Sequence, residues 1–522
     1  MIMTDRKTRR GQSAAPVVVT EVIGEDEVFD AGNSTPVTVL VADDQTPEID
    51  LAAFEASDNV IIDSDLETRY IPKSAVRAWA MWDWSTQPFN SIIITFVFIP
   101  LYLTSLSFLD PRYAILPPND PVRVAALDRL TAGIGAWVTI AGIFIALLAP
   151  VLGQRADATG KRKRWLFWAN LLLVLIMFAL FFVRAEPRYF MLGAALVAFG
   201  SVIDTVANVN YNALLSSVST PKTVGRVSGF GWGSGYMGGI VALIIVIILQ
   251  FSNWFGMDTS GGLPFRLIAL GCAIWAIIFG WPLYRYVPEP ERTVTRTKMG
   301  IVESYKSVFE MIKDLFFHSR TTFWFLIASA IYRDGLAGIF TFGAVIAAVS
   351  FGFSTEMVML FGVAANLIAG ISTMLVGRLD DLWGARRVIQ ISLLVLLASG
   401  IIALIFHNLG APIFWIFGLI LCATVGPAQS ASRSFLARVT PPGHESEIFG
   451  LYATTGKAAS FLSAGMWTIF IAAFGATIWG LVGILLVIAI GLGALMLLVR
   501  DDGLPAADVG ITDTSDPTPI AL

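Results

Sequence analysis

The chain has 522 residues, 56% of them apolar and 14% charged, with a mean hydropathy of +0.71. That balance excludes an ordinary soluble globular protein and leaves a polytopic membrane protein. The formal charge of −4 is unevenly spread: residues 1–70 carry 15 acidic and 5 basic side chains, the remainder 24 and 30, so an acidic tail precedes a basic membrane body.

In chain order, the acidic clusters and scattered prolines of residues 1–70 predict a disordered cytoplasmic tail, because they offer too little apolar surface to offset the entropy of ordering. No cleaved signal peptide is expected, since the basic start MTDRKTRR is followed by small and polar residues. A spanning helix needs about 20 mostly apolar residues. Such runs fall at 77–103, 131–152, 165–183, 189–213, 229–250, 264–284, 321–349, 356–376, 387–407, 412–434, 448–473 and 476–499. This predicts an all-α membrane protein with a first half at 71–285, a linker at 286–320, a second half at 321–500 and a disordered tail at 501–522. In the linker, Ile301, Val302, Tyr305, Val308, Phe309, Ile312, Leu315 and Phe316 follow a 3.6-residue period and predict an amphipathic helix on the inner membrane surface.

Two internal matches support a duplication. The stretch Gly153–Arg164, GQRADATGKRKR, is echoed by GRLDDLWGARR at Gly377–Arg387, so that Gly153, Asp157, Gly160 and Arg162 fall on Gly377, Asp381, Gly384 and Arg386. The glycines suit tight turns, the carboxylate suits a helix cap or a partner for a base, and the arginines hold such a loop on the cytoplasmic side. The second match sets Leu214–Gly229 on Phe435–Gly450, keeping Val218/Val439, Pro221/Pro442 and Gly229/Gly450. Duplicated helical units recur in secondary transporters. With the repeated loops placed inside, Lys and Arg concentrate in the inner loops, and both termini are expected in the cytoplasm.

That doubled loop between the second and third spans of each half resembles the signature of the major facilitator superfamily. Further blocks, Ala78–Phe98, Gly225–Gly239, Tyr332–Val345 and Gly426–Phe461, resemble the vacuolar amino-acid effluxers of autophagy and their bacterial relatives. The resemblance implies the major facilitator fold of twelve transmembrane helices in two six-helix pseudo-repeats. It also implies a transporter whose first, fourth, seventh and tenth spans line a cavity, with amino acids as the solute of the fungal branch. For this chain it implies a bacterial inner membrane.

Charges inside spans are informative because each costs about 2.5–3.5 kcal/mol at a helix centre. Six stand out: Asp83, Asp204, Arg333, Asp334, Arg433 and Lys457. By helix rise, Asp204 lies roughly 22 Å from the outer end of its span and Arg333 roughly 18 Å from the inner end of its own. Asp204, Arg333 and Asp334, with the neutral Asn90, Asn208 and Gln429, are the expected solute-binding set, and Asp204 and Asp334 the expected proton carriers. Asp83, Arg433 and Lys457, with Gly153, Asp157, Gly160, Arg162, Gly377, Asp381, Gly384 and Arg386, are expected to gate motion or fix structure. Trp79, Trp82 and Trp84 read as an interfacial belt. Gly231, Gly235 and Gly239 share one helix face and should admit a close neighbour. The G-x-G-x-x-G at Gly233–Gly238 has no preceding strand, and Gly450–Lys457 misses phosphate-loop spacing, so no nucleotide site is read.

Cys272 and Cys422 lie in apolar runs and suit packing. With His318, His407 and His444 as the full histidine complement, no metal triad or catalytic dyad is expected at depth, nor any cofactor. The expected activity is proton-coupled secondary transport of a small polar solute by alternating access. A receptor or scaffold without transport, or an exporter of amphipathic compounds, is the alternative. The expected partners are a small molecule and the lipid bilayer, with no nucleic acid, and the chain is expected to act as a monomer.

Overall fold

The computed structural model describes residues 71–117, 120–256, 260–289, 301–440 and 444–499. The tails expected at 1–70 and 501–522 lie outside these residues. Among the described residues there are helices and no strands, as hydrocarbon demands of a chain whose backbone groups must all be satisfied internally. Twelve helices are long and apolar enough to cross a membrane. The first half has Lys73–Leu103, Gly133–Thr159, Arg162–Leu180, Pro187–Ala213, Val224–Phe251 and Leu263–Tyr286, here spans 1 to 6. The second half has Arg320–Ser350, Leu360–Trp383, Ala385–Ile405, Ala411–Val439, Glu445–Phe474 and Ile478–Leu498, spans 7 to 12.

The repeated segments are helical over most of their length, where the sequence suggested loops. The helix carrying span 2 runs Pro121–Thr159 and ends only at Gly160, whose φ of +58° needs a glycine. Gly384, with φ +83°, separates spans 8 and 9 in the same way. Gly153 and Gly377 are therefore helical. Their lack of a side chain serves close approach: a Cβ on Gly153 would lie 2.2 Å from the carbonyl oxygen of Ser446, and one on Gly377 2.9 Å from that of Gly225. The reciprocal positions behave alike. A Cβ on Gly450 would meet the Ala149 carbonyl at 2.6 Å, and one on Gly229 the Thr373 carbonyl at 2.6 Å. Span 2 thus packs on span 11, and span 5 on span 8, backbone to backbone.

Gly231 and Gly239 sit against span 1, where added Cβ atoms would reach Trp79 and Ser91 at 2.6 Å; Gly235 faces Asp83 at 3.5 Å. The tryptophans are not an interfacial belt. Trp79 and Trp82 are fully buried and stack on either side of Tyr211, with ring centroids 4.5 and 4.2 Å apart, and Trp84 stacks on Trp275 at 5.9 Å. Their spacing suits an interfacial belt, but the glycine face of span 5 draws span 1 inward. Buried Trp–Tyr stacks of this kind contribute about 0.5–1.5 kcal/mol beyond the area they bury.

The linker contains a helix at Ile301–His318. Ser304, Val308 and Leu315 are buried against the bundle, while Tyr305, Phe309, Ile312 and Phe316 form an exposed apolar stripe. The Tyr305 hydroxyl donates to the Leu147 carbonyl of span 2 at 3.2 Å.

Span 1 leaves regular geometry after Pro88, with π-helical turns at Phe89–Phe96 and Phe98–Leu103. Span 11 breaks between Ala459 and Leu462 into two helical pieces. Proline supplies the first irregularity, because it cannot donate to the preceding turn. Both breaks lie next to the charged residues considered below.

Candidate functional site

Asp204 on span 4 is 8% exposed. Its Oδ2 accepts from Asn90 Nδ2 at 3.4 Å and from Asn208 Nδ2 at 3.2 Å, and Asn208 Nδ2 also donates to the Asp204 carbonyl at 2.9 Å. Oδ1 is buried with no hydrogen-bond partner among the described residues. Helical spacing of four brings Asn208 beside Asp204, and the π-turn after Pro88 swings Asn90 to the same oxygen.

Arg333 and Asp334 on span 7 diverge because successive helix positions point about 100° apart. The Arg333 guanidinium lies 3.7 Å over the Tyr452 ring, and its Nη1 donates to the Tyr452 carbonyl at 3.3 Å. Asp334 is buried and its Oδ2 accepts from the Ser463 backbone N–H at 2.6 Å, which satisfies a donor at the start of the second piece of span 11. Lys457, near the end of the first piece, is exposed. Gln429 is half-buried on span 10, one turn before Arg433.

Arg433 is 4% exposed and joins its half to three spans of the other. Nη1 pairs with Asp83 Oδ2 at 3.3 Å and donates to Asn212 Oδ1 at 3.1 Å. Nε and Nη2 donate to the hydroxyl and carbonyl of Ser228 at 3.0 and 2.6 Å. The guanidinium carbon lies 4.9 Å from the Trp79 ring, 5.8 Å from Tyr211 and 5.7 Å from Trp232, inside an aromatic cage. The Tyr211 hydroxyl donates to Asp83 at 2.8 Å.

Beyond Arg433, at the end of the bundle that carries Gly160 and Gly384, each repeated aspartate reaches across to the other half. Asp157 Oδ1 pairs with Arg162 at 2.8 Å, and its Oδ2 accepts the Glu447 backbone N–H at 2.8 Å; Arg162 also pairs with Glu445. Asp381 accepts the backbone N–H groups of Gly225 at 2.7 Å and Arg226 at 3.0 Å and pairs with Arg438 at 3.2 Å. Arg438 pairs also with Asp380, at 2.5 Å, and Asp380 accepts from Ser434. Each aspartate thereby caps a helix start in the opposite half, where the free N–H groups and the helix dipole favour an anion.

These ties reach from that end roughly 20 Å along the spans, as far as Thr454 Oγ1 donating to the Ala146 carbonyl at 3.3 Å. Towards the other end, the core of the first half, built around Phe98, Tyr102, Leu180 and Ala273, contains first-half residues only. The second-half core differs, since it takes in first-half residues of spans 2 and 4 such as Ala141, Ala198 and Val202.

Reading the sequence missed Tyr211, Ser228, Arg438, Glu445 and Tyr452. Arg438, at the end of span 10, and Glu445, at the start of span 11, lie within the second internal match, where charge at helix ends was the available signal. The two tyrosines carried no distinguishing signal.

Two six-helix halves that pack backbone to backbone around buried charges define a membrane transporter of the major facilitator type. The fold matches the fucose transporter FucP in its outward conformation, with a TM-score of 0.59 and 13% identity over 82% of this chain and 99% of that one. It also matches human MFSD10 (TETRAN), at 0.62 and 12% over 81% and 100%. Within that superfamily the chain belongs to the family described as vacuole effluxer Atg22 like, whose profile matches residues 216–508. The Bacillus subtilis (strain 168) MFS-type transporter YxiO, itself uncharacterized, is 24% identical over 389 residues, covering 74% of this chain and 85% of that protein. Autophagy-related protein 22 of Cryptococcus neoformans is 25% identical over 264 residues, 46% of each chain, so the match spans less than half of the fungal protein.

Proposed function

We propose that the protein carries a small polar solute, an amino acid, across the bacterial inner membrane by alternating access coupled to protons, with both termini cytoplasmic. The observation that carries this reading is Asp204: a buried carboxylate with one oxygen held by two amides and the other without a hydrogen-bond partner among the described residues. A carboxylate so placed can take an ammonium group or a proton, and a guanidinium can hold a solute carboxylate. The ties between the halves at the end that carries Gly160 and Gly384 support a state closed at that end. Rocking the halves about the mid-depth charges would break the caps on Glu447, Gly225 and Arg226 and expose the site to the other side. Amino acids enter through the resemblance to the vacuolar effluxers. Of the two candidate proton carriers, Asp204 is favoured, because Asp334 is already engaged by Ser463.

The test is amino-acid uptake into proteoliposomes with and without an imposed pH gradient. Asp204→Asn should abolish dependence on the gradient, and Arg333→Lys, which loses the fork, should weaken binding of carboxylate solutes. If Asp204→Asn, Arg333→Lys and Asp334→Asn all transport a confirmed solute like the parent, these charges are packing ties and the site lies elsewhere.

A further inference from the structure

Arg433 and Arg333 both lie in spans of the second half, over aromatic rings, and are used differently. Arg433 gives Nε, Nη1 and Nη2 to protein acceptors and has Asp83 as its counter-ion. Arg333 is half-buried and, among the described residues, makes one hydrogen bond, from Nη1 to the Tyr452 carbonyl at 3.3 Å, and no ion pair. Its Nε and Nη2 therefore have no acceptor among those residues, although a guanidinium within a span must pair or face water. Asp334, the next residue, is turned elsewhere: its Oδ2 accepts from the Ser463 N–H at 2.6 Å.

Span 11 is what holds Arg333. The guanidinium carbon lies 3.7 Å from the centroid of the Tyr452 ring, the separation of two flat groups in face contact, against 4.9 Å for Arg433 over Trp79. The ring itself is buried in the second-half core. Gly456, one turn after Tyr452, supplies the room: a Cβ there would lie 3.4 Å from Nη1 and 3.6 Å from Cζ and Nη2, so a larger side chain would enter the space of the fork. Ring, carbonyl and glycine fix the plane and one corner of the guanidinium. They leave Nε and Nη2, the adjacent pair whose parallel N–H groups match the two oxygens of a carboxylate. We infer that Tyr452 and Gly456 are positioning residues, which together seat Arg333 so that its Nε and Nη2 edge receives the carboxylate of the solute. An arginine side chain loses rotamer freedom when it binds, and one already held flat loses less. The seat therefore favours solutes that bring a carboxylate and is indifferent to those that do not. This inference rests on the reading of Arg333 as the group that holds a solute carboxylate.

The experiment measures binding of L-leucine, L-glutamine and L-alanine, each beside its α-amide, to the purified full chain in detergent by calorimetry. The parent should bind an acid at least about tenfold more tightly than its amide, the scale of one charge-assisted contact. Tyr452→Leu should erase that preference by weakening the acid, with amide affinity held within about threefold. Tyr452→Phe, which keeps the ring and the carbonyl, should retain it. Gly456→Val should erase it as well, by filling the space beside Nη1, and it decides the matter where Tyr452→Leu fails to fold. On an Arg333→Lys background, Tyr452→Leu should change acid affinity by less than about twofold, since the fork it positions is already gone. An acid preference that is lost in Arg333→Lys but kept in Tyr452→Leu or Gly456→Val overturns the inference and leaves the amino-acid site standing. So does equal weakening of acid and amide in those variants, or Tyr452→Phe behaving like Tyr452→Leu. Acid and amide binding alike to the parent, neither binding, or a preference that survives Arg333→Lys overturns both readings.

Discussion

The two copies of the repeated segment do the same job by different means. In the first copy, Asp157 is fully buried, is held by Arg162 five residues on, and caps span 11 at Glu447, while Glu445 of the other half closes the cluster on Arg162. In the second copy, Asp381 caps span 5 at Gly225 and Arg226, and Arg386, the residue matched to Arg162, donates Nη2 to the Met496 carbonyl of its own half, at 3.2 Å. The cation on Asp381 is instead Arg438, from the end of span 10. The difference teaches that what persisted after duplication is the carboxylate-to-helix-start contact between halves, while the arginine that supports it changed address. That contact needs only a carboxylate and two free N–H groups, whereas the supporting cation can reach from any neighbouring helix end.

Arg433 lies between the two latches and does not belong to the repeat, so removing it separates their action from the rest of the seal. Arg433→Leu leaves Asp83 buried without its cation, the kind of loss that costs about 3–5 kcal/mol. It should shift the conformational balance towards opening at the sealed end by about a hundredfold or more. Val227 is buried there in a cluster against which Ala437 of the other half packs, so a single cysteine at Val227, with Cys272 and Cys422 replaced, reports opening through its rate of maleimide labelling. Asp83→Asn placed on top should recover part of the loss. Labelling unchanged in Arg433→Leu would mean that the latches alone hold the seal.

The next effect tests the first latch. Arg162→Gln leaves Asp157 and Glu445, both drawn to one guanidinium, as neighbouring carboxylates without a cation. Labelling at Val227 should rise about tenfold or more, in line with losing one partner of a buried pair. Asp157→Asn keeps an acceptor for the Glu447 N–H and should act more weakly, slowing transport while leaving solute affinity within about threefold. A large loss of affinity with unchanged stability would move the solute site to that end of the molecule. Asp381→Asn should resemble Asp157→Asn, since the cap is common to both copies.

Much of this was legible in the chain. Hydropathy and the doubled segments establish twelve spans in two halves, because the bilayer leaves few solutions for long apolar runs. The matches Gly153/Gly377 and Gly229/Gly450 were visible as two separate internal repeats. In the fold they are two sides of one contact, since the aspartate of the first match caps positions 226 and 447, which are aligned in the second. A repeat shows that two segments are alike, not which segment each one touches, so the crossing between halves was hidden. The pairing of Asp83 with Arg433 was hidden for the same reason. The aromatic cage was illegible because Trp79 looks the same in sequence whether it faces lipid or a neighbouring glycine helix. Divergence of Arg333 and Asp334 follows from helix geometry, but their partners, Tyr452 and Ser463, depend on where span 11 breaks.

The smallest expected effect is the sharpest test of the comparison. If the two copies were equivalent, Arg386→Gln would match Arg162→Gln in opening the seal. The geometry predicts otherwise: Arg386 Nη2 ties span 9 to the Met496 carbonyl of span 12 within one half, and losing that hydrogen bond costs about 0.5–1.5 kcal/mol inside the half. Arg386→Gln should therefore lower thermal stability by a degree or two at most and change labelling at Val227 by less than about twofold, the scatter expected of a change outside the moving contact. Arg438→Gln should reproduce in the second copy what Arg162→Gln does in the first, because it uncovers Asp380 and Asp381 together. Equal labelling in Arg386→Gln and Arg162→Gln, with Arg438→Gln like the parent, would return the second latch to the arginine that the repeat assigns and refute the change of address.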